Sequence, residues 1–408
     1  MMNNHMTTIG DIARVFDGPH ATPKKISSGP YFLSISSLEK GRLDLTKSAF
    51  LSEEDFTKWT KRVTPEEGDL LFSYETRLGE AALMPAGVKA CLGRRMGLLR
   101  FNKDKVLPEY VLYAYLSPAF QQTIKANTLR GATVDRLSIS DFPDFPIRIP
   151  PLEEQEKVAN LLGSIDKKID LNNRINAELE AMAKTLYDYW FVQFDFPDEN
   201  DKPYKTSGGK MAYNLALKRN IPVDWEVRTL SQIANITMGQ SPVGDSYNED
   251  RNGSLFFQGS TDFGWLFPTP RQYTTAPARM AKKGDILLSV RAPVGDMNIA
   301  NADCCIGRGL AALNSKNDSD GFLFYVMKYF KQIFDRRNSE GTTFGSITKD
   351  DLHSLKVVYP KQEILNRYNN LVSYYNKMIF VRSLENMDLV KLRDWLLPML
   401  MNGQVTVR

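Results

Sequence analysis

Cysteine and histidine are rare in this sequence. Its 408 residues include three of each. The cysteines are Cys91 and the adjacent pair Cys304 and Cys305. This arrangement gives neither the C-x-x-C spacing of a metal site nor an even-numbered set of disulfides, so we expect buried thiols in a reducing compartment. The histidines have no clustered ligand partners, and we predict no metal site and no other cofactor. They are His5, His20 and His353.

Long uncharged apolar runs are also missing. The N-terminal part has no apolar run of signal-peptide length. No window reaches the about 18 uncharged residues that a membrane span needs. We therefore expect a soluble, cytoplasmic protein with no membrane partner. The hydrophobic content of 42% is nevertheless sufficient for packed cores in two or three domains.

Motifs of nucleotide and methyl-donor chemistry are absent as well. There is no G-x-x-x-x-G-K-[ST] sequence for a nucleoside triphosphate. A DNA methyltransferase would carry Asp or Asn before Pro-Pro and an aromatic residue, but Pro150-Pro151 precedes a leucine. We find no glycine-rich loop for a methyl donor and no distinctive acidic cluster with lysine for a nuclease. The sequence therefore predicts a protein without catalytic activity of its own.

The balance of charge is slightly basic. The net charge is +4 and the isoelectric point is about 8.7. Such a balance suits a polyanionic partner, although many proteins without a nucleic-acid role share it. A DNA-binding protein of this composition must concentrate its cations locally or rely on a partner subunit for electrostatic attraction.

The most informative feature that is present is an internal repeat, because six segments recur in the same order. The pairs are Thr8–Ala13 with Thr229–Ala234, Gly68–Ser73 with Gly284–Ser289, Cys91–Arg94 with Cys305–Arg308, Tyr110–Tyr113 with Phe322–Tyr325, Gly131–Thr133 with Gly341–Thr343, and Pro150 with Pro360. The chain therefore consists of two related halves.

Each half contains short apolar runs broken by Gly, Pro and Asn, followed by one long helical stretch. Helices are expected after Ser52, which has Asp55 three residues on, and at Pro108. We predict a mixed α/β fold, with two similar globular domains joined by two long helices that form an antiparallel coiled coil, and an internal pseudo-two-fold repeat. The expected boundaries are 1–150 for the first domain, 151–195 for the first helical region, 196–220 for a linker, 221–360 for the second domain and 361–408 for the second helical region.

The first helical stretch, from Leu152 to Trp190, carries a heptad spacing with alternating steps of four and three residues. The predicted seam is Val158, Leu162, Ile165, Ile169, Asn172, Asn176, Leu179, Ala183, Leu186 and Trp190. A shift of 210 residues gives a weaker second seam of Tyr368, Val372, Tyr375, Ile379, Arg382, Asn386, Leu389, Arg393, Leu396 and Leu400. Polar residues fall at the middle of both seams, so antiparallel pairing would bring the polar layers together and fix the register.

The length of these helices constrains the architecture. A helix of about 40 residues is roughly 60 Å long. Antiparallel pairing would leave a short, loose linker and place the globular domains at opposite ends, whereas parallel pairing would require the chain to run back along the helix. Two similar but different domains on such a spacer would suit two DNA half-sites, which lie on one face of the duplex at multiples of roughly 34 Å.

Four segments resemble the signature segments of type I restriction-modification specificity subunits, and together they span nearly the whole chain. They are Pro150–Gln155, Tyr189–Asp195, Ile221-Pro222-x-x-Trp225 followed by Leu230, and Leu396–Gly403. The resemblance implies two target-recognition domains that bind an asymmetric, bipartite site in double-stranded DNA. It also implies that the two helices dock two adenine-N6 methyltransferase subunits, and that restriction and translocase subunits join the complex. One departure is Pro360-Lys361-Gln362-Glu363, which makes the second docking surface less regular than the first.

In such domains, arginines that read guanine and groups that hold phosphate should project from loops. The candidates are Lys24, Lys25, Arg77, Arg94, Arg95, Arg130, Thr133 and Arg136 in the first half, and Gln240, Ser241, Arg251, Arg291, Arg308, Thr342, Thr343 and Lys349 in the second. For each of them, a solvated charge or a structural ion pair is the alternative. We assign features shared by both halves, such as Gly93-Arg94 and Gly307-Arg308, to phosphate contact or to the fold. Base reading is assigned to the unlike segments Pro19–Pro30 and Gln240–Gly253.

Two further interpretations compete with these. The aromatic residues Tyr110, Tyr113, Tyr115 and Phe120 have a helical spacing that favours core packing over base stacking. A tandem-domain coiled-coil adaptor that binds two proteins and no DNA also remains open. A preference for one duplex sequence in the presence of a methyltransferase partner would distinguish the two functions.

Overall fold

A computed structural model describes residues 5–19, 21–131, 134–339 and 346–407, without the side chains of 336–339. The chain divides into two units. The first unit comprises Met1–Asp170 and Met387–Arg408, and the second comprises Leu171–Asn386. Each is described in turn.

The first unit is built around an antiparallel four-stranded sheet of order β2-β10-β7-β8 and a three-stranded sheet of order β6-β3-β9, in which β3 and β9 are parallel. Its strands are β1 (Met6–Thr8), β2 (Ala13–Asp17), β3 (Ile26–Phe32), β4 (Leu38–Glu39), β5 (Arg42–Leu43), β6 (Ala49–Phe50), β7 (Leu70–Ser73), β8 (Ala81–Leu83), β9 (Ala90–Cys91), β10 (Met96–Phe101) and β11 (Pro146–Arg148). The helices that begin in it are α1 (Ile9–Ile12), α2 (Glu53–Trp59), α3 (Pro108–Leu116), α4 (Pro118–Ala126) and α5 (Leu152–Tyr187).

The strand β7 shows why an unbroken apolar run forms the centre of this sheet. All four of its residues are buried. Leu70 and Phe72 belong to one hydrophobic cluster and Leu71 to another, because successive side chains of a strand point to opposite faces. The helix starts follow the sequence signals: the Ser52 hydroxyl accepts a bond from the Asp55 amide at 3.1 Å, and α3 begins at Pro108. Both predicted starts are confirmed.

The second unit repeats this plan with a four-stranded sheet of order β15-β23-β20-β21 and a parallel pair, β17 and β22. Its strands are β12 (Met211–Asn214), β13 (Arg219–Pro222), β14 (Glu226–Thr229), β15 (Ala234–Met238), β16 (Tyr247–Asn248), β17 (Ser254–Phe257), β18 (Gln272–Thr274), β19 (Met280–Ala281), β20 (Ile286–Ser289), β21 (Met297–Ile299), β22 (Cys304–Ile306), β23 (Leu310–Ser315) and β24 (Lys356–Tyr359). The helices that begin in it are α6 (Leu230–Ile233), α7 (Asp320–Ser339), α8 (Lys349–Ser354) and α9 (Gln362–Met401).

The repeat extends to the caps of the short helices. Thr8 forms a capping box with Asp11 before α1, and Thr229 forms one with Gln232 before α6. The halves differ where the single helix α7 stands in place of α3 and α4, which are separated at Ser117. The predicted mixed α/β class and the internal repeat are confirmed.

The two long helices run antiparallel in each unit. In the first unit, Val158 and Leu162 share a cluster with Leu400, and Arg393 pairs with Asp166 at 2.9 Å. In the second unit, Asn172 donates to Asn386 at 2.9 Å, Asn176 to Ser383 at 3.3 Å, and the Tyr368 hydroxyl to the Ala183 carbonyl at 3.4 Å. In both units, residues further along α5 contact residues with lower numbers on α9. This confirms the antiparallel coiled coil.

All the seam positions named on α5 and the turn that follows it are buried except the half-buried Leu186. On α9, Tyr368, Val372, Ile379 and Leu400 are buried, and Tyr375, Arg382, Asn386, Leu389, Arg393 and Leu396 are half-buried. One position differs in detail: Arg382 donates to the Met378 carbonyl of its own helix at 3.3 Å, and Ser383 lies opposite Asn176.

The segment expected to be a loose linker is folded. The Asp195 carboxylate accepts bonds from the backbone amide and the hydroxyl of Thr206, both at 2.7 Å. Phe196 stacks between Tyr204 and Trp225, and β12 pairs with β13 as a hairpin. The glycine, proline and charged residues of this segment suggested flexibility. The packing of its aromatic side chains and the hydrogen bonds given above hold it in a defined structure instead.

The aromatic residues of α3 and α4 lie in the core of the first unit. Tyr110 and Tyr115 are fully buried, and Tyr113 and Phe120 are less than one-tenth exposed, which confirms packing as their role. The three cysteines are fully buried, and burial raises the pKa of Cys91 and Cys304 to about 12. Among the helices in the described ranges, none is both long and apolar enough to span a bilayer.

Candidate nucleic-acid interface

One edge of the four-stranded sheet in the first unit gathers most of the candidate residues of that half. The strands β2 and β7 end there, at Asp17 and Ser73, and β10 and β8 begin there, at Met96 and Ala81. Neighbouring antiparallel strands place the end of one beside the start of the next. The loops 18–19, 74–80 and 92–95 therefore leave the sheet together, and we call them, with residues 129–131 and 134–136, the loop edge of the first unit.

Backbone hydrogen bonds hold this loop edge together. The Gly18 amide donates to the Met96 carbonyl at 2.8 Å, and the Tyr74 amide donates to the Arg95 carbonyl at 3.2 Å. The Leu137 amide in turn donates to the Tyr74 carbonyl at 2.8 Å, which brings residues 134–136 onto the sheet, and Leu129 is hydrogen-bonded to Arg136. The candidate side chains in these loops thus rest on a fixed backbone.

The candidates at this loop edge fall into two groups. Arg94, Arg130 and Arg136 are exposed. Arg77 and Arg95 are instead engaged within the unit: Arg95 pairs with Glu75 at 2.8 Å, and Arg77 contacts Glu80 at 3.4 Å and the Ile35 carbonyl at 3.3 Å. A recess of about 280 Å³ opens beside the pair and is lined by Glu75, Leu129, Arg130, Gly131, Val134 and Arg136.

Lys24 and Lys25 are exposed but lie elsewhere. They precede the start of β3, whose other end meets the Gly93 loop through the bond from the Leu33 amide to the Cys91 carbonyl. Arg251 occupies the corresponding place in the second unit, before the start of β17. In β3, Ile26 and Tyr31 pair with the same residue, Phe50, so the residues between them bulge out of the strand, whereas Arg251 lies beyond the end of β17 that is opposite Gln258.

The second unit has its own loop edge, formed by the loops 239–241, 290–296 and 307–309 and by the segment 346–348. The strands β15 and β20 end here, and β23 and β21 begin here. Gln240, Arg291 and Arg308 are exposed at this loop edge, and the exposed Lys349 begins the helix α8 beside it. The Ile347 amide donates to the Val290 carbonyl at 2.8 Å and ties the last segment to the sheet. Thr133, Thr342 and Thr343 lie outside the described residues.

A small hydrogen-bonded cluster orients Arg308. Its Nε and its backbone amide both donate to the Ser241 hydroxyl at 3.3 Å. The side-chain amide nitrogen of Gln258 donates to the same hydroxyl at 2.9 Å. Ser241 is therefore a positioning residue for the guanidinium, and the exposed Gln258 adds a side-chain amide of the kind that reads adenine.

Sequence reasoning missed three residues at these edges: Glu75, Gln258 and Arg279. Arg279 is exposed, and its carbonyl accepts a bond from Ile306 at 2.9 Å, one residue before Gly307. Gln258 follows β17 as Ser34 follows the aligned end of β3, and this correspondence is visible only when the two parallel strand pairs of the structure are matched. Glu75 was missed because the candidates were cations, hydroxyl groups and one amide, and no carboxylate was considered.

The chemistry of these edges is recognition of a charged, hydrogen-bonding surface. They combine exposed guanidinium groups, amides and several carboxylates, which are the groups that contact phosphates and base edges in protein–DNA complexes. Within the described part of the chain, no group of three or more His, Cys, Asp or Glu side chains could hold a metal ion.

Comparison with known proteins decides the family. The sequence profile of the type I restriction modification DNA specificity domain matches this chain twice, over residues 3–181 and 222–371. The chain belongs to this family of type I DNA specificity subunits. The two matched segments correspond to the two halves of the repeat, and each contains one loop edge.

Full-length relatives agree with this family. The MjaX specificity subunit of a type I restriction enzyme from Methanocaldococcus jannaschii is 31% identical, over 98% of this chain and 92% of the relative. The MjaIX specificity subunit of the same organism is 25% identical, over 96% and 87%. The fold is also that of the type I restriction-modification S subunit from M. genitalium, with a TM-score of 0.56, 18% identity and coverage of 98% of this chain and 97% of that one.

Proposed function

We propose that this chain is the DNA-recognition subunit of a type I restriction-modification complex and that it binds an asymmetric, bipartite site in double-stranded DNA. The observation that carries the proposal is the family match over both halves, each with a loop edge that exposes arginines. Two edges with the same backbone plan and different side chains suit two different half-sites. The two half-sites together would give the specificity that one short half-site lacks.

The division of labour between the candidate residues follows from what they share. Arg94 and Arg308 are exposed at equivalent places, so they suit phosphate contact, which carries no sequence information. Residues that discriminate bases must differ between the halves. Gln258, which has Ser34 as its counterpart, and Glu75, which has Arg291, meet this requirement.

The partners are proposed to be two adenine-N6 methyltransferase subunits, with restriction and translocase subunits added to them, in the cytoplasm. The long helices support this proposal because they expose large apolar side chains, which mark interaction surfaces. These side chains are Leu171, Met182, Leu371, Tyr374, Met378, Val381, Leu384, Leu392 and Trp395. The chain itself would contribute recognition and positioning, and the methyltransferase subunits would perform the chemistry.

The proposed division of the chain keeps residues 1–150 and 221–360 as target-recognition domains and 151–195 and 361–408 as helical docking regions. The segment 196–220 joins them. The hydrogen bond from Thr206 to Asp195 and the β12–β13 hairpin give this segment a defined fold. Pro151 precedes α5 and Lys361 precedes α9, so both docking helices begin directly after their domains.

The test is base-resolution mapping of N6-methyladenine across the host genome, with the gene intact and with it deleted. Loss of methylation at one bipartite, asymmetric motif on deletion is the expected result. If every motif stays methylated while the partner methyltransferase is expressed, the proposal fails and the adaptor function takes its place.

A further inference from the structure

The two loop edges hold one pair of equivalent positions that carry opposite charges. In the first unit, the Ser73 hydroxyl at the end of β7 donates to the Glu75 carbonyl at 2.7 Å. In the second unit, the Ser289 hydroxyl at the end of β20 donates to the Arg291 carbonyl at 2.8 Å. The second residue after the equivalent strand is thus a glutamate in one half and an arginine in the other.

Two further pairs of hydrogen bonds show that the backbone leading into these residues is held in the same way in both halves. The Tyr74 amide donates to the Arg95 carbonyl at 3.2 Å, and the Val290 amide donates to the Gly309 carbonyl at 2.9 Å. The Leu137 amide donates to the Tyr74 carbonyl, and the Ile347 amide to the Val290 carbonyl, both at 2.8 Å.

The equivalence also includes the strands opposite. Glu75 forms an antiparallel bridge with Arg136, and Arg291 forms one with Ser346. The two side chains therefore occupy equivalent positions in the two halves. The halves differ there in the charge that they present.

The residues that surround the two side chains also differ in charge. Glu75 is partly exposed, with 23% of its side chain accessible, and it pairs with Arg95 at 2.8 Å beside the 280 Å³ recess. The second unit has Gly309 at the position of Arg95, and Arg291 is exposed. At this position the first unit therefore offers hydrogen-bond acceptors held by a cation, and the second unit offers donors.

In the major groove these two chemistries select different bases. A guanidinium donates two bonds to O6 and N7 of guanine, whereas a carboxylate accepts from the N4 amino group of cytosine. We propose that positions 75 and 291 are base-reading positions, with Glu75 selecting cytosine in one half-site and Arg291 selecting guanine in the other. This assignment rests on the proposed function.

The test uses the full complex in cells, with Glu75→Gln and Arg291→Gln compared with the wild type by mapping N6-methyladenine on a plasmid library of single-base variants of the site. We expect the guanine preference at one position to fall roughly 5- to 150-fold in Arg291→Gln, because that is the discrimination a bidentate contact provides. Glu75→Gln is expected to weaken the cytosine preference at one position of the other half-site. In each variant the unaltered half-site keeps its preference, which shows that the protein is folded.

Two matched controls remove one charge at the opposite edge of each sheet: Glu67→Gln before β7 and Lys283→Gln before β20. They are expected to leave every base preference unchanged. Unchanged preferences in both test variants, or a uniform loss of methylation at all sequences, would overturn the assignment while the wild-type motif still supported the proposed function. A wild type without any motif that depends on this chain would overturn both.

Discussion

At the scale of single residues, the glycines of the loop edges are required by close approach of the backbone. A Cβ atom at Gly93 would lie 1.9 Å from the Leu33 carbonyl oxygen, and one at Gly307 would lie 2.7–2.9 Å from atoms of Gln258. Each also touches a second glycine, because Cβ atoms at Gly18 and Gly239 would meet the carbonyls of Gly93 and Gly307 at 2.5 and 2.2 Å. The repeated Gly-Arg motif therefore serves the fold through its glycine and leaves the arginine exposed for contact.

A substitution at Gly307 tests this requirement. Gly307→Ala is expected to lower the free energy of unfolding by about 1–3 kcal/mol, since a buried methyl group must displace neighbouring atoms. Urea unfolding, followed by circular dichroism, measures the change. Gly244→Ala is the control, because nothing lies within 4 Å of a Cβ atom there. Equal midpoints for the two variants would show that the close contact is not needed.

The arginine of the same motif makes a different prediction. Arg308→Ala is expected to weaken binding of the methyltransferase complex to all duplex sequences alike and to reduce the slope of log affinity against log salt concentration by about 1, since one phosphate contact is lost. Fluorescence anisotropy at several salt concentrations measures both. Lys283→Ala removes a charge from the opposite edge of the same sheet and should change neither. An unaltered slope in Arg308→Ala would refute the phosphate role.

At the scale of elements, the polar layer of the coiled coil fixes which residues of the helices face each other. Asn172 is 1% exposed, and its amide nitrogen donates to Glu385 at 2.7 Å and to Asn386 at 2.9 Å. Asn386 donates in turn to Asn173 at 2.8 Å. Sliding one helix along the other would leave these buried groups without partners, so the layer specifies register at a cost in stability.

The layer can be tested with a truncation and an apolar replacement. Asn172→Ala is expected to destabilise the protein by about 1–3 kcal/mol, because it leaves the Glu385 and Asn386 groups without this donor. The double variant Asn172→Leu with Asn386→Leu should recover much of that loss. Thermal unfolding compares them, with the exposed Lys167→Ala on the same helix as control. A double variant that is less stable than the truncation would contradict this account.

The elements also show where prediction from the sequence succeeds and where it ends. The heptad period and the mid-helix asparagines specified α5 and its partner, because periodicity reflects burial directly. The pairing of Asn176 with Ser383 instead of Arg382 was not accessible, since a long arginine can turn back to its own helix. The linker was misread because composition does not reveal the packing of Phe196 on Trp225.

At the loop edges, the residue types could be predicted from the sequence but their arrangement could not. The repeat aligned Arg94 with Arg308, and both are exposed at loop edges. Strand order was not derivable, so Lys24 and Arg251 were grouped with them although they lie outside the loop edges, before the starts of β3 and β17. The opposite charges at Glu75 and Arg291 became visible only when matched hydrogen bonds established that the two positions are equivalent.

At the scale of the whole molecule, a net charge of +4 over 408 residues provides little general attraction for DNA. We therefore expect the affinity for DNA to come from the local arginines of the two loop edges, together with the proposed partner subunits. Since both edges belong to one chain, binding of the second half-site is intramolecular once the first is bound, and its effective concentration can reach the millimolar range.

This linkage predicts a strong dependence on having both half-sites. Scrambling either half-site of the mapped motif is expected to lower the affinity of the methyltransferase complex by about 10²- to 10⁴-fold, because the advantage of linked binding is lost with either one. Competition with labelled duplex at fixed salt measures this. The control duplex keeps both half-sites and the spacer length but changes the spacer sequence, and it should compete like the original. If a duplex with one scrambled half-site competes equally well, the two edges do not act together, and recognition rests on one half of the chain.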